Sequence, residues 1–224
     1  MKTKIITIEG IDGSGKTVQF ELLTKKLLEL GYTVSTREYP VYSSFFGNQI
    51  GGFLSGTAGI KATDIDQKSM ALWFALDRFD DFKSYRDGES DFLLINRYVL
   101  SNAVYQSIRD ADIDKPDIVD WVFELEYDKL GLPRPELNLF FDVDTSCASM
   151  NIDKKGFREY VGGNGRDVYE SNRSIQQRAR QKYLDFSLKF DDIAVISCTK
   201  DGSMLTPEAI SEKVLLTLRE RGLL

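Results

Sequence analysis

Histidine is absent from this chain of 224 residues, and cysteine occurs only twice. Without an imidazole the chain cannot carry Ser-His-Asp or Cys-His catalysis, or the paired histidines of an HExxH metal site. Cys147 and Cys198 lack the spacing of metal ligands, so we interpret them as small buried side chains in a reducing compartment. Any catalysis must therefore rely on carboxylates, lysine, arginine, backbone amides and a metal ion.

Long hydrophobic runs and concentrated basic charge are also missing. The apolar stretch before Glu9 is far too short for a signal sequence or a membrane span, which predicts a cytoplasmic protein with no membrane association. The net charge of −6 is spread along the chain, and no basic block stands out. This distribution argues against nucleic acid as a partner.

The pattern of hydrophobic residues predicts an α/β fold. Hydrophobic residues make up 42% of the chain and no linker-like segment interrupts them, so we expect a single domain over residues 1–224. Short apolar runs alternate with longer helical stretches, and continuous runs such as residues 92–95 are typical of a parallel sheet covered on both faces. Five strands are expected, at residues 5–9, 33–36, 92–95, 137–143 and 193–197.

Residues 10–17 match the phosphate-binding pattern GxxxxGK[ST] between the first predicted strand and the first predicted helix. Glycines in such a loop turn backbone N–H groups toward phosphate oxygens, and the N-terminus of the helix adds positive charge. Lys16 is expected to contact the β- and γ-phosphates of ATP, and Thr17 to bind Mg²⁺. The predicted nucleotide-binding residues are Gly10, Gly13, Ser14, Gly15, Lys16 and Thr17.

A second group of residues indicates a pocket for a phosphate acceptor. Phe74 and Arg78 are four residues apart, which places a ring and a guanidinium on one helix face; considered alone, they also fit a core ring and a solvated charge. Arg97 follows a buried strand, where a phosphate would compensate its charge. The next predicted helix presents a polar face suited to a base edge and a sugar, formed by Asn102, Tyr105 and Gln106.

Six segments in order resemble the thymidylate kinase family, from residue 5 to about residue 190. The resemblance implies a three-layer P-loop kinase fold, with a five-stranded parallel sheet, flanking helices and a lid at about residues 153–167. It also implies an ATP-dependent enzyme that converts dTMP to dTDP with Mg²⁺, and a homodimer. The segments are the phosphate loop with Asp12 and residues 39–42, 74–78, 97–106, 132–137 and 166–170.

The family's roles in binding the acceptor can be carried to matching positions. By resemblance, Phe74 would stack on thymine, Arg78 would donate to O4, and Asn102 would contact the N3 edge. Tyr105 would crowd the position of a ribose 2′-hydroxyl, with Gln106 on the same face. The residues facing the 5′-phosphate would be Arg97 and Tyr42.

The remaining roles concern the transferred phosphate and the metal. Asp12 would approach the deoxyribose 3′-hydroxyl or the metal shell, with Asp167 and Glu170 beside it. A planar guanidinium matches phosphate better than an ammonium does, so Arg158 and Arg166 are the lid cations expected at the γ-phosphate. The predicted catalytic residues are Lys16, Arg97, Asp12, Arg158 and Arg166, and the predicted metal residues are Thr17, Asp12, Asn96 and Glu170.

Two positions depart from the family pattern. Many members have an acidic residue where this chain has Asn96, and often a basic residue where it has Val41. Each change removes a charge from the site, one near the metal and one near the acceptor phosphate. Two alternatives therefore stay open: a kinase for another deoxynucleoside monophosphate or a deoxynucleoside, and a catalytically weak, regulatory nucleotide-binding protein.

Overall fold

A parallel sheet of five strands forms the centre of the computed structural model, which describes residues 2–109, 117–153, 169 and 172–224. The strands lie in the order β2-β3-β1-β4-β5, and each neighbouring pair is parallel. The predicted sheet is thereby confirmed, whereas the single-domain organisation stays a prediction. The strands are β1 (Lys4–Glu9), β2 (Val34–Glu38), β3 (Phe92–Asn96), β4 (Leu137–Asp142) and β5 (Ile193–Ser197).

Helices flank this sheet. All residues of β3 are buried, so other elements cover both of its faces, as its continuous apolar sequence predicts. The helices are α1 (Lys16–Glu29), α2 (Phe45–Ser55), α3 (Gln67–Phe82), α4 (Val99–Ser107), α5 (Val119–Phe123), α6 (Thr145–Asp153), α7 (Arg173–Ser187) and α8 (Pro207–Glu220). A 3₁₀ turn (Ala62–Asp64), a π-helical turn (Glu124–Lys129) and a small hairpin of β6 (Thr199–Lys200) and β7 (Ser203–Met204) complete the described elements.

Polar side chains define where several helices begin. Ser44, Asp66 and Thr206 each accept a hydrogen bond from a backbone N–H in the first turn of α2, α3 and α8, respectively. Such caps satisfy donors that have no partner within the helix. The start of these helices is therefore encoded locally.

The carboxyl ends of the three strands on one side of the sheet meet at one edge. Asn96 of β3 lies beside Ile8 of β1 and beside Glu38 of β2. Loops that leave these strands therefore begin close together, which is where parallel α/β sheets bind their ligands.

Helix α6 and the β6-β7 hairpin were not predicted from the sequence. The polar composition of α6 gives a weak amphipathic pattern, and its helix is held by contacts of Cys147, Ala148 and Ile152 with the interior. Helix α5 passes directly into the π-helical turn, so the helical stretch from Val119 to Lys129 is not uniform.

Both cysteines are buried as predicted, and burial followed by the charge of Asp142 raises the pKa of the Cys198 thiol to about 12. Among the described residues, no helix is both long enough and apolar enough to cross a membrane.

Candidate active site

The phosphate loop connects β1 to α1, and its glycines are required by its shape. Gly10, Gly13 and Gly15 have φ values of 146°, 80° and 85°, which side chains on L-residues rarely allow. A Cβ on Gly13 would also stand 2.1 Å from the carbonyl oxygen of Ala148 in α6. The loop therefore packs against α6 so closely that only glycine fits.

The start of α1 is arranged for an anion. Gly15 occupies the N-cap position, and no side chain within the described residues caps the N–H groups there. The Lys16 side chain is buried beside the loop, and its Nζ donates to the carbonyl oxygens of Gly10 at 3.0 Å and Ile11 at 2.7 Å. The Ser14 hydroxyl is buried without a hydrogen-bond partner among the described residues. These groups can all turn to phosphate oxygens.

Arg97 lies directly after β3 and has an unusual backbone. Its φ of 63° is in the left-handed region, where a residue other than glycine needs support from its surroundings. Its guanidinium forms an ion pair with Asp12 of the phosphate loop and lies 5.5 Å from the centre of the Tyr105 ring. Burial disfavours the charge, but Asp12 together with Tyr105, Tyr183 and Glu9 outweighs burial and raises the pKa of Arg97 well above its usual value.

Asp12 is held from several directions. Besides Arg97, it is bound by Gln176 of α7, whose Nε2 donates to the carboxylate at 2.9 Å and whose Oε1 accepts from the Asp12 backbone at 3.0 Å. The Tyr105 hydroxyl lies 3.5 Å from the same carboxylate. Asp12 therefore couples the phosphate loop to α4 and α7.

Glu9, at the end of β1, supports the turn that presents Arg97. It is fully buried, and its carboxylate accepts from the Tyr98 backbone N–H at 2.8 Å and from the Tyr183 hydroxyl at 2.9 Å. The Ser101 hydroxyl also donates to it, at 2.5 Å. Three donors stabilise this buried charge, so Glu9 joins β1 to the start of α4.

The predicted acceptor residues come together with the phosphate loop around one cavity of about 870 Å³. Phe74 of α3 is half-buried and lines the cavity, and Arg78 of the same helix is buried and also lines it. The interpretation of this helix face as a core ring and a solvated charge is therefore wrong. Gln106 of α4 is fully buried; its Oε1 accepts from Arg109, which leaves Nε2 without a partner among the described residues. The other predicted residues lining the cavity include Tyr42, Arg97, Asn102 and Tyr105.

Arg78 is not a solvated charge but half of a buried ion pair with Glu126, in the π-helical turn. Its Nε and Nη2 each lie 2.6 Å from a carboxylate oxygen. Burial disfavours the charge, and Glu126 more than offsets this, so the pKa of Arg78 is raised. Glu126 also accepts from Asn102 Nδ2 at 2.7 Å.

Four residues that support the site were not predicted from the sequence: Glu126, Glu9, Gln176 and Asp77. Asp77 of α3 accepts from the Val41 backbone N–H at 2.9 Å and from the Ser44 hydroxyl at 2.7 Å, and so fixes the segment that carries Tyr42. Its position beside Arg78 in the recognised segment was the one available signal. The other three act across long sequence separations, which motifs do not record.

Asn96 has a carboxylate neighbour on the adjacent strand. Its Nδ2 donates to Glu38 Oε1 at 3.1 Å, while its Oδ1 is buried without a partner within the described ranges. Glu38 is exposed and lines the cavity. A carboxylate is therefore present at this edge of the sheet, on the strand next to Asn96.

These residues fit a cation that is shared with nucleotide phosphates. No group of three or more acidic or cysteine side chains among the described residues could hold a metal alone. Mg²⁺ in nucleotide sites usually takes one or two protein oxygens and completes its shell with phosphates and water. The exposed Thr17 hydroxyl, the Asp12 carboxylate and the buried Asn96 Oδ1 offer such oxygens.

Several predicted residues cannot be placed. Arg158, Arg166, Asp167 and Glu170 lie outside the described residues, as does the predicted lid apart from the end of α6. Their predicted roles at the γ-phosphate and the metal stay predictions.

Comparison with known proteins decides the family. A family model described as Thymidylate kinase matches residues 8–201. The chain is 30% identical over 186 residues to the thymidylate kinase of Mycobacterium tuberculosis, covering 82% of this chain and 85% of that protein. The chain belongs to the thymidylate kinase family. Both the resemblance seen in the motifs and the predicted enzyme class, a nucleoside monophosphate kinase, are thereby confirmed.

Other thymidylate kinases agree in sequence and in fold. A probable thymidylate kinase of Methanocaldococcus jannaschii is 29% identical over 196 residues, which is 87% of each chain. The solved thymidylate kinase of Candida albicans superposes with a TM-score of 0.77 over 99% of this chain and 93% of that one, at 20% identity. The thymidylate kinase of Ehrlichia chaffeensis gives a TM-score of 0.65 over 98% of this chain and all of that one, at 21% identity. These structures support the fold alone.

Proposed function

We propose that this member of the thymidylate kinase family transfers the γ-phosphate of ATP to dTMP, giving ADP and dTDP. The observation that carries the proposal is that the phosphate loop and the predicted base-reading residues line one cavity. Phe74 offers a ring for stacking, Arg78 offers N–H groups to a carbonyl, and Asn102 keeps an acceptor oxygen. A base with an N–H beside a carbonyl satisfies all three.

The reaction needs placement and charge more than it needs a base. An oxygen of the dTMP phosphate attacks the γ-phosphorus, the bond to the β–γ bridging oxygen breaks, and its electron pair leaves with ADP. The attacking oxygen is already ionised, so no residue has to remove a proton. Bound Mg²⁺ would neutralise charge on the phosphates, with Thr17, Asp12 and Asn96 as the described residues able to hold it.

Two cations of the chain balance the remaining charge. Lys16 would exchange its contacts with the Gly10 and Ile11 carbonyls for phosphate oxygens when ATP binds. Arg97, together with Tyr42, would bind the acceptor phosphate. Before the acceptor binds, Asp12 neutralises the charge of the Arg97 guanidinium and holds it in place. In this proposal Tyr105 lies where a ribose 2′-hydroxyl would be, which favours a deoxyribose.

A panel of acceptors tests the proposed function. We expect dTMP to exceed dCMP in kcat/KM by about 10²-fold or more, because the cytosine amino group would face the Arg78 donor and leave buried polar groups unpaired. ADP release with ATP and Mg²⁺ is measured for dTMP, dCMP and thymidine. Equal values for dTMP and dCMP would point to another acceptor, and no turnover with any acceptor would favour the regulatory alternative.

The Asn96 position allows a second prediction. Replacing Asn96 with Asp should lower the free energy of unfolding in EDTA by about 1 to 3 kcal/mol. The substitution removes the N–H donor and places a second carboxylate next to that of Glu38. Added Mg²⁺ should reduce this difference in stability. The Asn96→Asp protein should also reach half-maximal activity at a lower Mg²⁺ concentration than wild type, as the family pattern predicts. Thermal melting with EDTA and with Mg²⁺ measures the first effect, and a Mg²⁺ titration of activity the second.

The control for Asn96→Asp is Asn48→Asp, which adds the same charge at an exposed position of α2. Equal melting temperatures of the Asn96→Asp and Asn48→Asp proteins in EDTA would show that Glu38 does not constrain Asn96.

The homodimer, the cytoplasmic location and the absence of nucleic-acid partners remain part of the proposal. Trp73 packs on Phe46 and Phe53, and Phe82 on Tyr85, so these aromatic residues have partners in the same chain. Because these contacts lie within one chain, the aromatic residues are not by themselves an argument for a dimer interface. Sedimentation of the purified protein at several concentrations measures its oligomeric state.

A further inference from the structure

Glu126 binds both residues that are predicted to read the base. Its carboxylate is fully buried and accepts from Arg78 Nε and Nη2 at 2.6 Å each, and from Asn102 Nδ2 at 2.7 Å. Arg78 and Asn102 come from different helices, α3 and α4. One buried carboxylate therefore links the two side chains that face the same cavity.

The contacts of Asn102 leave only one orientation of its amide. Nδ2 donates to Glu126 Oε1 and to the backbone carbonyl of Ala71, the latter at 3.1 Å. A carboxylate and a carbonyl can only accept, so the NH₂ group must face them. Asn102 Oδ1 then remains, buried and without a hydrogen-bond partner in the described part of the chain. Asn102 lines the cavity, so Oδ1 is the acceptor that its amide keeps for a ligand there.

The contacts of Arg78 fix its donors in the same way. Glu126 occupies the edge of the guanidinium formed by Nε and Nη2. Within the described ranges Nη1 makes no hydrogen bond to another residue, and Arg78 lines the cavity. The cavity is thus offered a donor beside the acceptor of Asn102.

We propose that Glu126 is a positioning residue that sets this order of donor and acceptor before the acceptor nucleotide binds. The order complements a pyrimidine whose N3 carries a proton next to a carbonyl, as in thymine, and opposes cytosine, whose N3 accepts and whose amino group donates. This inference rests on the proposed function and adds to it the residue that determines which pyrimidine is accepted.

The local backbone supports a dedicated role for Glu126. It lies in the π-helical turn, where the Leu130 N–H bonds the Leu125 carbonyl at 2.9 Å. Such turns are rare and often occur at functional sites. Glu124 in the same turn has a side chain that is 57% exposed and pairs with Lys129. The turn therefore places the Glu124 side chain in solvent and the Glu126 side chain against Arg78 and Asn102.

Replacing Glu126 with Gln tests the inference. The amide has the same shape but contributes an NH₂ group, which favours a reversed Asn102 amide and leaves an Arg78 donor unpaired. We expect the ratio of kcat/KM for dTMP to that for dCMP to fall by about tenfold or more, mainly through the KM for dTMP, with the KM for ATP unchanged. Glu126→Asp keeps an acceptor-only group and should retain the ratio within about threefold.

The matched control is Glu124→Gln, which removes the same charge from the exposed side of the turn and should leave both constants unchanged. If wild-type protein does not prefer dTMP over dCMP, the proposed function fails. If wild type does prefer dTMP and folded Glu126→Gln keeps the ratio, or loses activity equally with both acceptors, the pair is only structural and the positioning role is overturned.

A measurement on the wild-type protein covers the case in which Glu126→Gln does not fold. In ¹⁵N NMR spectra without nucleotide, the Arg78 Nε–H and the Asn102 NH₂ protons should exchange slowly with solvent, because Glu126 and Ala71 already hold them. Their protection should persist when dTMP binds. Exchange as fast as that of exposed side chains in the free protein would show that the order is not set beforehand.

Discussion

Lys16→Ala is expected to lower kcat by at least about 10²-fold while the protein stays folded. Its ammonium is the cation of the phosphate loop, and a preorganised donor at developing charge contributes a factor of this size in other enzymes. Lys16 donates to two loop carbonyls, and hydrogen bonds of this kind contribute only modestly to stability, so we expect the variant to fold. Steady-state turnover with ATP and dTMP, together with circular dichroism, measures both effects.

Lys25→Ala is the matched control for Lys16. It removes an ammonium from the same helix, where the side chain is 75% exposed and pairs only loosely with Glu29 at 3.9 Å. Its turnover should equal that of wild type. A folded Lys16→Ala protein that kept most of its turnover would refute the assignment of residues 10–17 as the site of phosphoryl transfer.

Arg97→Met is expected to lower kcat/KM for dTMP by at least about 10²-fold with little change in ATP affinity. The guanidinium is held at the cavity by Asp12 and by a left-handed backbone that Glu9 stabilises through Tyr98. A planar fork that is already oriented can bind a phosphate through two hydrogen bonds, which methionine cannot do. Kinetics with dTMP and equilibrium binding of ATP separate the two substrates.

Two further variants sharpen the Arg97 experiment. Arg97→Lys keeps the charge but loses the fork, so its kcat/KM should lie between those of Arg97→Met and wild type. Arg134→Met removes an arginine whose side chain is 61% exposed and should have no effect. If Arg97→Met retained dTMP turnover within threefold, Arg97 would serve the fold through Asp12 and not the acceptor phosphate.

The correct predictions were those that depend on local sequence. The alternation of strands and helices follows from the spacing of apolar residues. The phosphate loop was recognisable because its glycines occupy backbone conformations with positive φ, which few other residues tolerate. The order of the motifs sufficed to identify the family, which the sequence comparisons confirm.

The surroundings of the predicted residues were decided by tertiary structure. The sequence could not show that Arg78 is paired with Glu126, which is 48 positions away, or that Glu38 lies beside Asn96. Helix α6 was missed because its polar composition hides contacts that form only when the phosphate loop packs on it.

The sequence by itself determined the fold class, the phosphate loop and the identity of several residues that line the cavity, because periodicity and motif spacing record local geometry. Tertiary structure alone decided how those residues are oriented. Glu124 and Glu126 are two positions apart and chemically identical, yet one lies in solvent and the other holds Arg78 and Asn102. The burial of a charge depends on partners brought from other elements, and no local pattern encodes those partners.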